Sequence, residues 1–97
     1  MSSPAPEITI QHDAAAHRFE ALVDGHKAVA EYELSGNEMI FTHTFVPPGL
    51  RGRGIAEKLV RAGLDEARRR GRTIVPRCSY VAQFLERHPE LKSPDSG

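Results

Sequence analysis

The sequence predicts an α+β domain: a mostly antiparallel sheet of about five strands with two helices, in the order β-β-β-β-α-β-α. The first half alternates between apolar and polar residues and is broken by turn pairs such as Asp24-Gly25. After Pro47-Pro48-Gly49 the apolar period lengthens from two to about 3.6. A short β-branched run, Thr73-Ile74-Val75, then separates two helical stretches.

Ile8 to His12 and Arg18 to Val23 read as the first two strands, joined across Asp13 to Ala16. Asp24-Gly25 marks a two-residue hairpin, because both central positions of a type I′ turn need positive φ. His26 to Leu34 is the third strand, with Ala28, Ala30 and Tyr32 on one face. Ser35-Gly36-Asn37 reverses the chain into Glu38 to Val46, where either Met39, Phe41, His43 and Phe45 or Ile40, Thr42, Thr44 and Val46 share a face. The prolines end strand pairing. A helix follows from about Arg53 to Arg70, its stripe formed by Ala56, Leu59, Val60, Gly63, Leu64 and Ala67. Glu57, Asp65 and Glu66 each precede an arginine by four residues, the favourable order for ion pairs on the opposite face. Gly71 suits the helix C-terminus. Thr73 to Val75 is a strand that Pro76 ends, and Ser79 is placed to cap a last helix with Val81, Phe84, Leu85 and His88 on one face.

Ninety-seven residues with 39% hydrophobic content suffice for one core and leave no room for a second. Residues 7–92 are expected to form the domain, between Pro/Ser-rich disordered tails at 1–6 and 93–97. The single Cys78 excludes an internal disulfide, and an unpaired thiol points to a reducing, cytoplasmic setting. The first residues have neither the basic nor the apolar region of a targeting signal, and no stretch approaches a membrane span. Net charge is zero but uneven: residues 1–50 carry two basic and seven acidic residues, net −5, and residues 51–97 eleven basic and six acidic, net +5. The basic half suits a phosphate-bearing partner, or is simply a solvated arginine-rich helix face.

Leu50-Arg-Gly-Arg-Gly-Ile-Ala56 lies between a predicted strand and a predicted helix. Gly52 and Gly54 have no Cβ to keep a ligand from their amides, and the first N–H groups of the helix have no intrahelical partner. A pyrophosphate there accepts several hydrogen bonds at the positive end of the helix dipole, with Arg51 and Arg53 adding charge. The same glycines are also compatible with a merely tight turn. The segment is neither a Walker loop nor the dinucleotide glycine motif.

Val46-Pro-Pro-Gly-Leu-Arg51-Gly-Arg-Gly54-Ile-Ala56 resembles the acetyl-CoA signature of the GNAT superfamily of N-acetyltransferases, Gln/Arg-x-x-Gly-x-Gly/Ala, matched by Arg51, Gly54 and Ala56. Phe41 to Val46, Cys78-Ser-Tyr-Val81, Phe84 and His88-Pro-Glu90 extend the likeness to a subgroup of very short GNAT-like proteins, over about residues 20 to 91. The resemblance implies a minimal GNAT-like fold with a splayed sheet and the pantetheine arm in the gap. It implies backbone contacts to acetyl-CoA from Thr44, Phe45 and Val46, pyrophosphate contacts from Arg51, Gly52, Arg53, Gly54, Ile55 and Ala56, and a place for Phe84 in the cofactor site.

Acetyl transfer to an amine needs a deprotonated nucleophile, a polarised carbonyl and a proton source for the leaving thiolate. Cys78, beside Arg77 at a predicted strand-to-helix junction, is favoured as a thiolate and suited to accept the acetyl group; the resemblance implies the same, and a buried apolar role is the alternative. His43 is a base for the amine or for Cys78, or a structural histidine. Tyr80 is a proton donor to the coenzyme A thiolate by analogy with larger GNAT enzymes, or an aromatic wall. His12, His17, His26 and His88 show no metal-ligand spacing, so no metal is expected.

The leading reading is an acetyl-CoA-dependent acetyltransferase acting on an amine or protein acceptor that the sequence does not identify. A chain this short also fits a non-catalytic acetyl-CoA-binding or sensing module. Arg68-Arg-Arg70, Arg72 and Arg77 raise nucleic-acid binding, which 6% aromatic content without Trp and the lack of a recognisable motif argue against. No membrane contact is expected, and a monomer is compatible with the sequence.

Overall fold

The computed structural model describes residues 8–91, so the expected tails at 1–6 and 93–97 lie outside the described residues. Five strands form one sheet in chain order: β1 (Ile10–Asp13), β2 (Arg18–Val23), β3 (His26–Ser35), β4 (Glu38–Phe45) and β5 (Thr73–Pro76). The first four pair antiparallel, and β5 joins β4 in parallel after the crossover helix α1 (Ile55–Arg69). The second helix, α2 (Ser79–Arg87), follows. This is the expected order, α+β with a mostly antiparallel sheet.

Local chemistry explains the joints. Asp24 and Gly25 have φ of 52° and 77°, as a type I′ turn requires. Gly71 at φ 65° follows the end of α1, where Arg72 N–H bonds Ala67 C=O at 2.8 Å and Gly71 N–H bonds Arg68 C=O at 3.1 Å, the two bonds of a Schellman motif. Asn37 then ties the helix exit to the sheet, its side-chain amide donating to the Gly71 carbonyl at 2.9 Å.

The core lies between one face of the sheet and both helices. Phe19, Ala28, Ala30, Tyr32, Met39 and Phe41 meet the α1 stripe of Ile55, Leu59, Val60, Gly63, Leu64 and Ala67, and Val81, Phe84 and Leu85 of α2 join the same cluster. Two expectations for α1 change. The helix begins at Ile55 rather than near Arg53, because Gly54 takes a left-handed φ of 72° as its N-cap. Arg69 pairs with Glu66 instead of Asp65. Glu66 is only 7% exposed, and a carboxylate so placed needs compensation, which Arg69 and Arg70, the latter at 2.8 Å, supply together. Among the described residues, no helix is long and apolar enough to cross a membrane.

Candidate active site

Two departures from regular sheet geometry build the site. Tyr32 pairs with Phe41 and Glu31 with His43, so Thr42 is an extra residue on β4, a bulge. Its hydroxyl donates to the Glu31 carbonyl at 3.4 Å. The bulge breaks the alternation that the sequence offered in two versions. Met39 and Phe41 face the core before it, Thr44 shares the core side with its partner Ala30 after it, and His43 and Phe45 turn outward with Glu31 and Val29. On the other edge of β4, pairing with β5 stops at Phe41 opposite Pro76, and Cys78 N–H closes it on the Phe41 carbonyl at 2.8 Å. Beyond that point the sheet is open, as the resemblance implied.

Helix α2 begins at this opening. Cys78 stands at its N-cap with extended φ/ψ of −71° and 130°, and Ser79 is the first helical residue rather than the cap the sequence assigned to it. The chain must leave β5 and bond Phe41 before it can turn, which places Cys78 at the corner. The Cys78 thiol donates to the Thr44 hydroxyl across the gap at 3.5 Å. Burial, the largest single influence, would raise the thiol's pKa. The Thr44 hydroxyl and main-chain groups of Val81, Tyr80 and Thr44 together outweigh it, so Cys78 lies below the ordinary thiol value. Iodoacetamide modification of Cys78 should therefore reach its half-maximal rate at a lower pH than that of an unperturbed thiol. Thr44→Val removes the side-chain contribution and leaves the burial, so the midpoint should move up; a midpoint unchanged in that variant contradicts the pairing.

The glycine turn forms the neighbouring wall. A short 3₁₀ turn, Pro48–Leu50, is anchored by buried Leu50, and Gly52 and Gly54 follow at φ 84° and 72°. A Cβ added at either glycine would meet nothing within 4 Å. Lys58 N–H bonds the Gly54 carbonyl at 3.2 Å as the helix starts, so the N–H groups of Ile55, Ala56 and Glu57 have no partner within it. Open space, unpaired amides and positive dipole coincide there, which fits a diphosphate. A groove runs past this turn in two lobes of about 230 and 340 Å³ that share Val46, Arg51, Ala56 and Tyr80. Thr44 and Phe45 line the larger lobe, and Gly52, Gly54 and Ile55 the smaller.

The structure thus brings together Cys78, Thr44, Tyr80 and most of the expected cofactor segment. Arg51 donates from Nε to the Val46 carbonyl at 3.1 Å, and Arg53 pairs with Asp24 at 3.1 Å, an exposed and weak contact. Burial, followed by Glu57, raises the Tyr80 pKa and keeps the phenol protonated. Two residues stand apart. Phe84 is 0% exposed in the core, stacked behind Tyr80 and under Arg61, and does not line the groove. His43 is exposed on the outer face, opposite in direction to Thr44, and among the described residues it makes no hydrogen bond to Cys78. Sequence reasoning missed the Thr44 side chain, whose part depends on the bulge. His12 is occupied in packing, stacked on Phe19 at 4.1 Å and sharing a 2.6 Å hydrogen bond with the Tyr32 hydroxyl.

A strand, a glycine turn and a helix beside an opened sheet define a protein of the GNAT fold. Comparison with known proteins agrees: the sequence pattern described as GCN5-related N-acetyl-transferase matches residues 18–93, and the chain belongs to that family. It is 34% identical over 95 residues to protein NATD1 of Bos taurus, covering 91% of this chain and 84% of that protein. Protein NATD1 of Xenopus tropicalis is 30% identical over 89 residues, covering 89% and 82%. The solution structure of a GCN5-like protein from Staphylococcus aureus superposes with a TM-score of 0.71 at 26% identity, over 89% of this chain and 85% of that one. The chain is therefore a small acetyltransferase of this superfamily.

Proposed function

We propose that the protein transfers an acetyl group from acetyl-CoA to an amine by way of an acetylated Cys78. The observation that carries this reading is the Cys78 thiol paired at 3.5 Å with the hydroxyl of Thr44, a residue that lines the groove where the sheet opens; surroundings that lower the thiol's pKa support it. Acetyl-CoA supplies an activated thioester; amides from Gly52 to Ala56, with Arg51, hold its pyrophosphate and Thr44 to Val46 line its arm. The Cys78 thiolate attacks the thioester carbonyl carbon, forming one C–S bond while the bond to the coenzyme A sulfur breaks. Tyr80, held protonated, gives its proton to the departing sulfur and regains one from water. The incoming ammonium gives one proton to water or to the exposed His43 on the outer face of the sheet before it reaches the gap. The free amine then attacks the acetyl-Cys78 carbonyl carbon, the C–N bond forms as the bond to the Cys78 sulfur breaks, and the second proton shed by the nitrogen passes to that sulfur, restoring the thiol.

The test is intact-mass measurement after mixing with acetyl-CoA, together with thiol release against an amine panel. An adduct of one acetyl group should form, vanish in Cys78→Ala and decay faster when amine is added. Binding of acetyl-CoA without adduct or thiol release leaves only a sensing module, and no binding at millimolar concentration rejects the reading outright.

A further inference from the structure

A second pocket, of about 110 Å³, opens between the sheet and the last turn of α1. About 20 Å of helix separates it from the glycine turn, and it shares no lining residue with the groove there. Leu34 and Met39, directly opposed on β3 and β4, give it an apolar wall. The other wall is polar. Tyr32, 5% exposed, contributes a phenol that burial, followed by the Glu66 carboxylate, keeps protonated. Its oxygen shares the 2.6 Å hydrogen bond with His12 Nε2, and with His12 as the donor the Tyr32 O–H is free for a second acceptor. Arg70 gives only its Nε to Glu66, and the side-chain bond of Arg72, from Nη1 to the Gly36 carbonyl, is a long 3.4 Å. Both guanidinium groups therefore keep donors to spare. Among the lining residues these two arginines outnumber Glu66 by one charge. Two flanking groups, Arg69 on Glu66 and Asp13 acting on Tyr32, cancel each other. The carbonyls of Ala67 and Arg68, at the negative end of the helix dipole, are taken up by the N–H groups of Arg72 and Gly71.

We propose that this pocket is a second ligand site, which takes a small organic monocarboxylate of about four to six non-hydrogen atoms. Size is the first support, since the volume equals that of about four molecules of liquid water. Charge is the second: an excess of one positive charge matches a monoanion better than a doubly charged phosphate. Donor geometry is the third. The free arms of Arg70 and Arg72, with the Tyr32 O–H, suit the two oxygens of a carboxylate, and guanidinium groups hold such oxygens in pairs. The Leu34 and Met39 wall then covers a short alkyl tail, where the outer oxygens of a phosphate would lose their hydration without a partner. Packing alone does not call for this set. Arg69 and Arg70 already compensate Glu66, which leaves Arg72 beyond what burial of that carboxylate requires. Binding here involves neither acetyl-CoA nor Cys78.

The test is an NMR titration of backbone amide shifts in the intact protein, at constant ionic strength, with propionate, with its uncharged analogue propionamide and with inorganic phosphate. Propionate should give saturable shifts at Tyr32, Leu34, Arg70 and Arg72. Propionamide should bind about tenfold more weakly or worse, and phosphate more weakly than propionate. Arg72→Gln, which removes only one long hydrogen bond from the free protein, should lower propionate affinity about tenfold. Tyr32→Phe keeps the buried ring and should lower it about threefold to tenfold. Thermal unfolding of both variants reports whether the fold is intact, and the comparison of propionate with propionamide needs no variant. Equal binding of those two, tighter binding of phosphate, or propionate affinity unchanged in folded Arg72→Gln overturns the proposal. So does a lack of saturation up to about 100 mM, where affinity falls below the range of a specific site. Shifts confined to Gly52 to Ala56 would give the anion to the glycine turn, overturning this proposal while leaving the acetyltransferase reading standing.

Discussion

Gly54→Val is expected to weaken acetyl-CoA binding by about a hundredfold or more. Gly54 is the N-cap of α1 at φ 72°, where its missing Cβ faces open space above the amides of the first turn. Valine would place an isopropyl group in the path of the pyrophosphate. Losing two hydrogen bonds to a charged group, at about 1.5 kcal/mol or more each, amounts to about 3 kcal/mol or more, and every 1.4 kcal/mol is tenfold in affinity. Valine also tolerates positive φ poorly, at a cost of about 1–2 kcal/mol of stability. Gly71→Val separates the two effects. Gly71 has a similar φ of 65° and equally open surroundings, but lies at the far end of α1. Both variants should lose similar thermal stability, and only Gly54→Val should lose affinity in calorimetry. Affinity within threefold of wild type would show that the phosphates bind elsewhere.

What was legible in the sequence was what local chemistry decides. Asp24-Gly25, Gly71 and the change of period after Pro47-Pro48 state their structures within a few residues, and the order of elements followed from them. The bulge at Thr42 carries no glycine or other local mark, because it arises from how β3 and β4 align over their whole length. Missing it left two versions of the β4 faces open, put His43 within imagined reach of Cys78 and hid the Thr44 hydroxyl. Cys78 in place of Ser79 at the α2 cap has the same origin: the last parallel hydrogen bond, Cys78 to Phe41, decides where the helix can start. Residue chemistry singled out Cys78 and Tyr80, of which Tyr80 lines the groove and Cys78 contacts Thr44 at its edge, yet only long-range pairing could say which face each residue of β4 would show.

Gly63→Val should be the most destabilising of these substitutions, and its effect should reach the site. A Cβ at position 63 would lie 2.6 Å from Cε1 and 3.2 Å from Cζ of Phe41, and 3.5 Å from Cε1 of Phe19. Both rings are buried, so neither moves without displacing the core. Glycine inside a helix costs about 1 kcal/mol relative to alanine, so Gly63→Ala recovers about that much while overpacking by about 1–3 kcal/mol. Valine recovers less and adds two methyl groups. A net loss of about 3 kcal/mol is expected, which lowers the melting temperature of a domain this size by roughly 15 °C. Phe41 also forms the last pair with β5, and its carbonyl holds the Cys78 N–H at 2.8 Å. A displaced ring would therefore disturb the corner at which Cys78 meets Thr44, and iodoacetamide modification of Cys78 should change along with stability. Combining Gly63→Ala with Phe41→Leu makes room for the new Cβ, so thermal unfolding of the double variant should show less loss than the two single losses added. Strict additivity would mean that Gly63 and Phe41 do not press on one another.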